Sequence, residues 1–265
     1  MSLAYQCPLC KHTLYSDMNT LTCTNNHRFD YAKEGYINLL PVQQKNSKQP
    51  GDNLDMVQAR RAFLTTGHYR FLQQKVAELV ASVNPENVID LGCGEGFYTQ
   101  AIASLANANV YGLDISKSAV KYAAKRYKTC NFSVASISHA PFADNEANVL
   151  VSIFAPLFEQ ELNRLLTRHG SLIVASPGPW HLKELKQYIY KEVNDHSPID
   201  VPAHFELVAQ DLIEQKVELN FTDVKNLITM TPFAWKFRPE HWQMLEQQGE
   251  HTVTLSFYVS HFKKM

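Results

Sequence analysis

Residues 88–96 constrain this chain more than any other stretch. Val88-Ile89-Asp90-Leu91 reads as a buried strand and runs directly into Gly92-Cys93-Gly94-Glu95-Gly96, after which a helical pattern begins. Strand, tight turn and helix in that order require glycine where the backbone turns sharply and approaches a ligand too closely for a Cβ. The loop amides and the helix N-terminus then face that ligand. A dinucleotide fingerprint would read G-x-G-x-x-G. Here the spacing is G-x-G-x-G, with Asp90 two residues before the first glycine. That acid suits a ligand carrying an ammonium and a sulfonium, as S-adenosylmethionine does, better than a pyrophosphate. Asp114 ends the next strand, eighteen residues after Gly96, where a carboxylate can accept both ribose hydroxyls. The third strand end, at Ser136, would flank the adenine. Two other readings compete: a glycine-rich turn in an α/β protein that binds no nucleotide, and a nicotinamide site.

Around this loop the sequence has three textures. Residues 1–40 carry cysteine, histidine and aromatic side chains, residues 41–54 are polar with two prolines and a glycine, and alternating helix and strand patterns start near residue 55. The middle stretch has the composition of a linker. Helices are expected over 55–64 and 68–82, the second with Leu72, Val76, Leu79 and Val80 on one face. Strands are expected at 88–91, 110–113, 132–135, 149–153 and 172–175, separated by helices near 97–106, 117–127, 159–167 and 180–193. Such alternation builds a parallel sheet covered on both faces. Residues 252–260 alternate like a strand expected at a sheet edge, and 195–250 carry no pattern firm enough to assign.

Five cysteines are present, three of them within the first 23 residues, and no basic segment followed by an apolar run opens the chain. Without an export signal, that clustering points to a metal before it points to disulfides, and to a cytoplasmic protein. Cys7-x2-Cys10 and Cys23-x3-His27 place two ligands on each of two tight turns, the spacing of a closed, structural zinc site. A chance array of reduced thiols is the alternative. His12 could replace His27, but its place just after Cys10 gives poor geometry. So short a module buries little apolar surface, so metal would supply its stability. A net charge of −1 gives no global attraction to nucleic acid, so contacts to it would be local. No apolar run approaches the roughly 18 residues that span a bilayer.

With both motifs in hand, the sequence resembles the bacterial 23S ribosomal RNA guanine-N1 methyltransferases that carry an N-terminal zinc finger. The resemblance rests on Cys7-Pro8-Leu9-Cys10, Lys33-Glu34-Gly35-Tyr36-Ile37-Asn38-Leu39-Leu40-Pro41-Val42-Gln43, and Gln58-Ala59-Arg60-Arg61-Ala62-Phe63-Leu64 leading into Gly67-His68-Tyr69. It continues through residues 90–96, Ala124-Lys125-Arg126-Tyr127, Pro177-Gly178-Pro179 with His181, and Met230-Thr231-Pro232-Phe233-Ala234-Trp235. It implies a Rossmann-like class I methyltransferase fold, a seven-stranded and mostly parallel sheet, behind a zinc-binding domain at 1–40 and a linker at 41–54. It implies methyl transfer from S-adenosylmethionine to N1 of a guanine in a 23S rRNA hairpin, by a homodimer whose paired fingers frame the RNA. Zinc ligands carried over are Cys7, Cys10, Cys23 and His27. Cofactor contacts carried over are Tyr69, Asp90, Gly92, Gly94, Glu95, Gly96, Phe97, Tyr98, Asp114 and His181. The chain departs from that pattern at Thr167-Arg168-His169-Gly170, a turn, and at Leu157, near the expected target pocket.

Guanine N1 lies on the Watson–Crick edge, so the base must be unpaired or flipped outward. Phe154 and Phe158, flanking Pro156 after the fourth strand, are candidates to hold it by stacking, although a phenylalanine at either place is more often core. For the proton on N1, His181 and the carboxylates of residues 195–211 are candidate bases. RNA contacts are expected from Lys11, Arg28, Lys45, Lys48, Arg60 and Arg61, and the last two, adjacent on a helix, cannot point the same way. Two further functions fit the motifs: a methyltransferase of this fold acting on another RNA, a small molecule or a protein, and a catalytically silent zinc-ribbon binding module.

Overall fold

The computed structural model describes residues 3–44 and 51–265. Three short antiparallel strands, β1 (Tyr15–Asp17), β2 (Thr20–Thr22) and β3 (Arg28–Asp30), form a ribbon, followed by β4 (Ile37–Asn38). Helices α1 (Leu54–Thr65) and α2 (Arg70–Ser82) lead into β5 (Asn87–Leu91), α3 (Phe97–Leu105), β6 (Asn109–Asp114), α4 (Lys117–Arg126), β7 (Asn131–Val134) and β8 (Ala147–Ile153). Then come α5 (Glu159–Leu165), β9 (Leu166–Pro177), α6 (Lys183–Lys186), β10 (Phe205–Asn220), α7 (Phe221–Thr229), α8 (Pro239–Gln248) and β11 (Glu250–Lys264). Among the described residues, no helix is long and apolar enough to cross a membrane.

One eight-stranded sheet in the order β10-β11-β9-β8-β5-β6-β7-β4 organises the chain, parallel from β9 to β4 and antiparallel at β11 and β10. Successive side chains of a strand point to opposite faces, and the core divides accordingly. Val88, Val110, Val149, Val151 and Ile173 join α2 and α3 on one side, while Ile89, Tyr111, Leu150, Leu172 and Val174 pack with α5 on the other. All five residues of β5 are buried, the pattern of a strand covered on both faces. Helix α4 begins on a Ser116 side chain that accepts from the Ala119 amide and buries Ala119, Val120, Ala123 and Ala124.

The ribbon is not an independent bead. Tyr5 bridges to Phe142, their rings 5.1 Å apart, and its ring meets Tyr111 edge-on at 6.1 Å. Leu3, Tyr5, Leu14 and Leu21 share one apolar cluster with Ile89 and Leu113 of the sheet and Leu162 of α5. Apolar burial against the large domain therefore stabilises the ribbon alongside any metal, which the expectation of metal alone left out. Ile37 joins the two parts: it bridges to Tyr31 of the ribbon and pairs with Ser133 of β7.

Several expected elements change. The sheet has eight strands rather than seven, because β4 adds to the β7 edge. The expected helix at 180–193 shrinks to α6, since Leu182 adopts a left-handed φ of 56° and turns the chain just before it. Strand β11 lies inside the sheet, and β10 is the edge. Most of β10 is exposed, with glutamates, glutamines and a lysine along it, as edge strands that resist pairing with other chains are.

Candidate functional site

A cavity of about 440 Å³ opens at the C-terminal ends of β5, β6, β7 and β8, where the strand order reverses on either side of β5. Open α/β sheets bind ligands at this point. The glycine loop forms its floor: the Gly92 and Cys93 amides donate to the Leu113 carbonyl at 2.9 and 3.0 Å, and Gly96 closes on Cys93 at 3.0 Å. Gly92 has φ +80°, and a Cβ there would stand 2.7 Å from that of Ala155. The Gly94 amide donates to one Asp114 oxygen at 2.9 Å, and the Ser116 amide to the other at 2.7 Å.

Four carboxylates line this cavity: Asp52, which pairs with Arg60, and Asp90, Glu95 and Asp114. Asp90 is buried and accepts from Thr99 Oγ1 at 2.6 Å. Burial pushes its pKa up to about 7, against the Thr99 hydrogen bond, with Asp114 adding to the rise. Burial likewise holds Glu95 at about 7, with Arg126, Arg61 and Arg60 pulling it down. Asp114 is raised by burial, opposed by the Ser116 and Gly94 amides and by Arg60. Glu95 Oε1 and the Tyr98 hydroxyl are buried without a hydrogen-bond partner. Unpaired buried polar atoms are rare enough to need a reason, and a polar ligand supplies one. A cationic ligand would also favour the ionised carboxylates. Ammonium, sulfonium and ribose hydroxyls thus fit the donor and acceptor set present.

Arg60 is the only basic side chain among the described residues lining the cavity. It pairs with Asp52 and donates through Nη2 to the Met230 carbonyl at 3.0 Å. It therefore faces inward rather than toward an outer RNA surface. Its place on α1 explains this, since 57, 60 and 64 fall on the stripe that buries Val57 and Leu64. Arg61 points away, its guanidinium 5.4 Å from the centre of the Tyr122 ring. The buried stripe was the signal available in the sequence for Arg60.

Gly92, Gly94, Glu95, Phe97, Tyr98, Asp90 and Asp114 meet at the cavity, but Tyr69, Gly96 and His181 are not on its wall. Tyr69 is buried behind it, edge-on to Phe63 and Phe257. His181 lies 4.7 Å from the Phe257 ring and stacks on Phe154 at 6.4 Å, and its Nδ1 accepts from the Ser256 amide at 3.4 Å. Burial lowers its pKa to about 3, with Lys186 and His196 adding to the drop. His181 is thus held neutral behind the cavity wall rather than on it. Nor does any carboxylate of residues 195–211 line the cavity; Asp211 pairs with Lys75 at 2.6 Å.

Beyond the glycine loop, the wall is completed at the ends of β7 and β8 by Ser136, Ile137, Ser138, Phe154, Ala155, Pro156 and Phe158. Phe154 takes a left-handed φ of 56°, and its amide is anchored on the Ala175 carbonyl at 3.0 Å. Backbone held in this region by an aromatic residue costs energy and concentrates at ligand sites. Phe154 and Phe158 are both substantially exposed, 45% and 41%.

In the ribbon, the ligand atoms of Cys7, Cys10, Cys23 and His27 all lie within 4.8 Å of one another. The sulfurs of Cys10 and Cys23 are 3.6 Å apart, and His27 Nδ1 lies 3.4 and 3.5 Å from those of Cys7 and Cys23. Tetrahedral zinc with bonds of about 2.3 Å to sulfur and about 2.0 Å to nitrogen requires edges of roughly 3.5–3.8 Å. The donor set fits. His12 Nδ1 approaches only Cys10, at 3.4 Å, and stands outside the four. Lys11 and Arg28 are exposed on the ribbon, whereas Lys45 and Lys48 lie outside the described residues.

A mostly parallel sheet with this glycine loop, carboxylate set and appended ribbon defines an S-adenosylmethionine-dependent methyltransferase of class I with a structural zinc site. Residues 5–48 match the family described as "RlmA, N-terminal", and residues 82–226 match "Methyltransferase domain". A Streptomyces fradiae protein named "23S rRNA (guanine(748)-N(1))-methyltransferase" is 33% identical over 95% of this chain and 93% of its own. A Bacillus subtilis (strain 168) protein provisionally named for the same guanine-N1 reaction is 28% identical over 95% of this chain and 94% of its own. This chain belongs to the family of 23S rRNA (guanine-N1)-methyltransferases.

Proposed function

We propose that this protein methylates N1 of a guanine in a 23S rRNA hairpin. The single observation that carries the reading is the cavity itself, acidic at the cofactor end and aromatic and uncharged at the acceptor end, in a chain related over nearly its whole length to enzymes named for that reaction. S-adenosylmethionine, when bound, supplies an electrophilic methyl on a good leaving group, so positioning and desolvation can provide much of the acceleration.

The chain's own residues then divide the work. Glu95 takes the ammonium and Asp114 the ribose hydroxyls, while Asp90, held by Thr99, sets a negative field beneath the loop. Arg60, oriented by Asp52 and the Met230 carbonyl, takes the carboxylate of the cofactor's amino-acid part. Phe154, Pro156 and Phe158 hold the extruded guanine by its faces, leaving its N1 edge toward the methyl. None of the residues at this acceptor end ionises. The N1–methyl bond therefore forms as the sulfur–methyl bond breaks, and the N1 proton passes to water at the open mouth.

Zinc on Cys7, Cys10, Cys23 and His27 shapes the ribbon, which presents Lys11 and Arg28 to the RNA, with Arg61 on the large domain adding a further contact. The protein acts in the cytoplasm as a homodimer with two ribbons facing one hairpin, a state that light scattering on the purified protein checks.

The decisive experiment supplies methyl-labelled cofactor and unmodified 23S rRNA, then digests the RNA and identifies the labelled nucleoside by mass spectrometry. N1-methylguanosine in one hairpin is the expected product. RNA free of label, with label in small molecules or protein, sinks the reading.

A further inference from the structure

We propose that the end of α6 and the loop between α7 and α8 form a second RNA site, which stacks an unpaired base on Trp235 and holds its phosphate with Lys236 and Arg238. The proposal rests on the reading that the acceptor is RNA.

Trp235 is 78% exposed, although the ring has ample surface to bury. Beside it lies a cavity of about 420 Å³ lined by Tyr188, Ile189, Trp235, Lys236, Arg238 and His241. Aromatic and basic side chains fill that lining, and no carboxylate belongs to it. Lys236 Nζ sits 4.2 Å from the centre of the Tyr190 ring and 5.3 Å from that of Trp235, so its ammonium is held over ring faces rather than by an acid. Among the described residues, Glu240 pairs with Arg238 at 3.9 Å; both side chains are largely exposed, so this pair is weak and easily exchanged for a phosphate. Aromatic faces beside cations are what proteins use to hold single-stranded nucleic acid, with no need to read sequence.

Position ties this patch to the reaction. Met230, whose carbonyl holds Arg60 at the cofactor cavity, opens the loop that carries Trp235 five residues later. Five residues of chain reach at most about 18 Å, roughly the rise of five stacked nucleotides. Trp235 is thus at most about 18 Å from the Met230 carbonyl that braces Arg60 at the cofactor cavity, a span that a few nucleotides of a single-stranded rRNA loop can cover.

The test uses Trp235→Ala, Trp235→Phe and the double variant Lys236→Ala/Arg238→Ala in the full-length protein, with cofactor affinity as the control for folding. With unmodified 23S rRNA, Trp235→Ala is expected to raise KM about tenfold with kcat nearly unchanged, and Trp235→Phe to recover most of the loss. The double variant should flatten the dependence of log affinity on log salt by about 1.4, for two contacts to single-stranded phosphates. Separately, oligouridine should quench wild-type tryptophan fluorescence, and much less so in Trp235→Phe. An unchanged KM, an unchanged salt slope and equal quenching overturn the proposal even if the wild type labels 23S rRNA. If the wild type places no methyl on rRNA, the function proposed above has failed instead, and the quenching comparison still decides this site.

Discussion

The Cβ of Ala155 lies 2.7 Å from the point where a side chain on Gly92 would begin, so the loops after β5 and β8 touch directly beneath the cofactor cavity. Gly92→Ala must move one of them while also straining a φ of +80°. The variant should lose about 1–3 kcal/mol of stability and bind S-adenosylmethionine at least tenfold more weakly. Calorimetric titration that finds wild-type affinity would show that the two loops yield freely.

Arg60 offers a cleaner chemical test. Arg60→Gln should weaken S-adenosylmethionine binding about 10- to 100-fold, the scale of lost hydrogen bonds to a charged group. Decarboxylated S-adenosylmethionine, which has nothing for the guanidinium to hold, should bind variant and wild type alike. Equal losses for both ligands would assign Arg60 to the scaffold.

Protonation should follow the cofactor. Asp90 and Glu95 both sit near pKa 7, raised by burial. These two groups therefore keep protons in the folded protein that the unfolded chain has already lost, and the stability they contribute without ligand falls as pH rises from about 4 to about 7. A cationic ligand reverses the preference, so binding near pH 6.5 should release protons, and affinity should climb with pH before levelling off above about 7. Titration calorimetry in two buffers of different ionisation enthalpy reads that release directly. Heats that do not depend on the buffer would refute it. His181, its pKa lowered to about 3 by burial, stays neutral in the folded protein and adds nothing to the protons released on binding, but it raises stability as pH climbs toward 6.5 and so opposes the carboxylates.

Metal removal separates the two parts. Cys10→Ser should abolish stoichiometric zinc and lower the melting temperature by about 5 °C or more, the effect of losing roughly 2 kcal/mol in a chain this size. Amide protection should fall at Leu14 and Leu21 of the ribbon and persist in β5 and β6. Cofactor affinity should shift by less than about threefold, whereas a collapse of cofactor binding would mean that the ribbon shapes the distant cavity.

Much of this was legible in the sequence because burial writes a pattern. Strand β5 could be read from four apolar or acidic residues ending in a glycine turn, and the four zinc ligands from spacing alone. Strand β10 could not, because its exposed residues have no buried partner layer and it is held by backbone pairing to β11. The two residues of β4 are too few to show a period. The short α6 was masked by apolar residues that continue past it, while the left-handed turn at Leu182 leaves no mark in composition. Which of Arg60 and Arg61 faces the cavity needed the structure: neighbouring arginines look alike in one dimension, and only the register of α1 sends one inward.

Strand β4 carries a last consequence. Ile37 and Asn38 pair with Ser133 and Val134, and the Leu39 amide adds a bond to the Val134 carbonyl at 2.9 Å. A shortened protein beginning at residue 41 would strip these partners away and bare the rim of β7, a template for strands of other molecules. It should precipitate rather than survive as a minimal enzyme. The ribbon is thus not an interchangeable cartridge: selection can tune it in place, but a recombination break between it and the large domain would damage both.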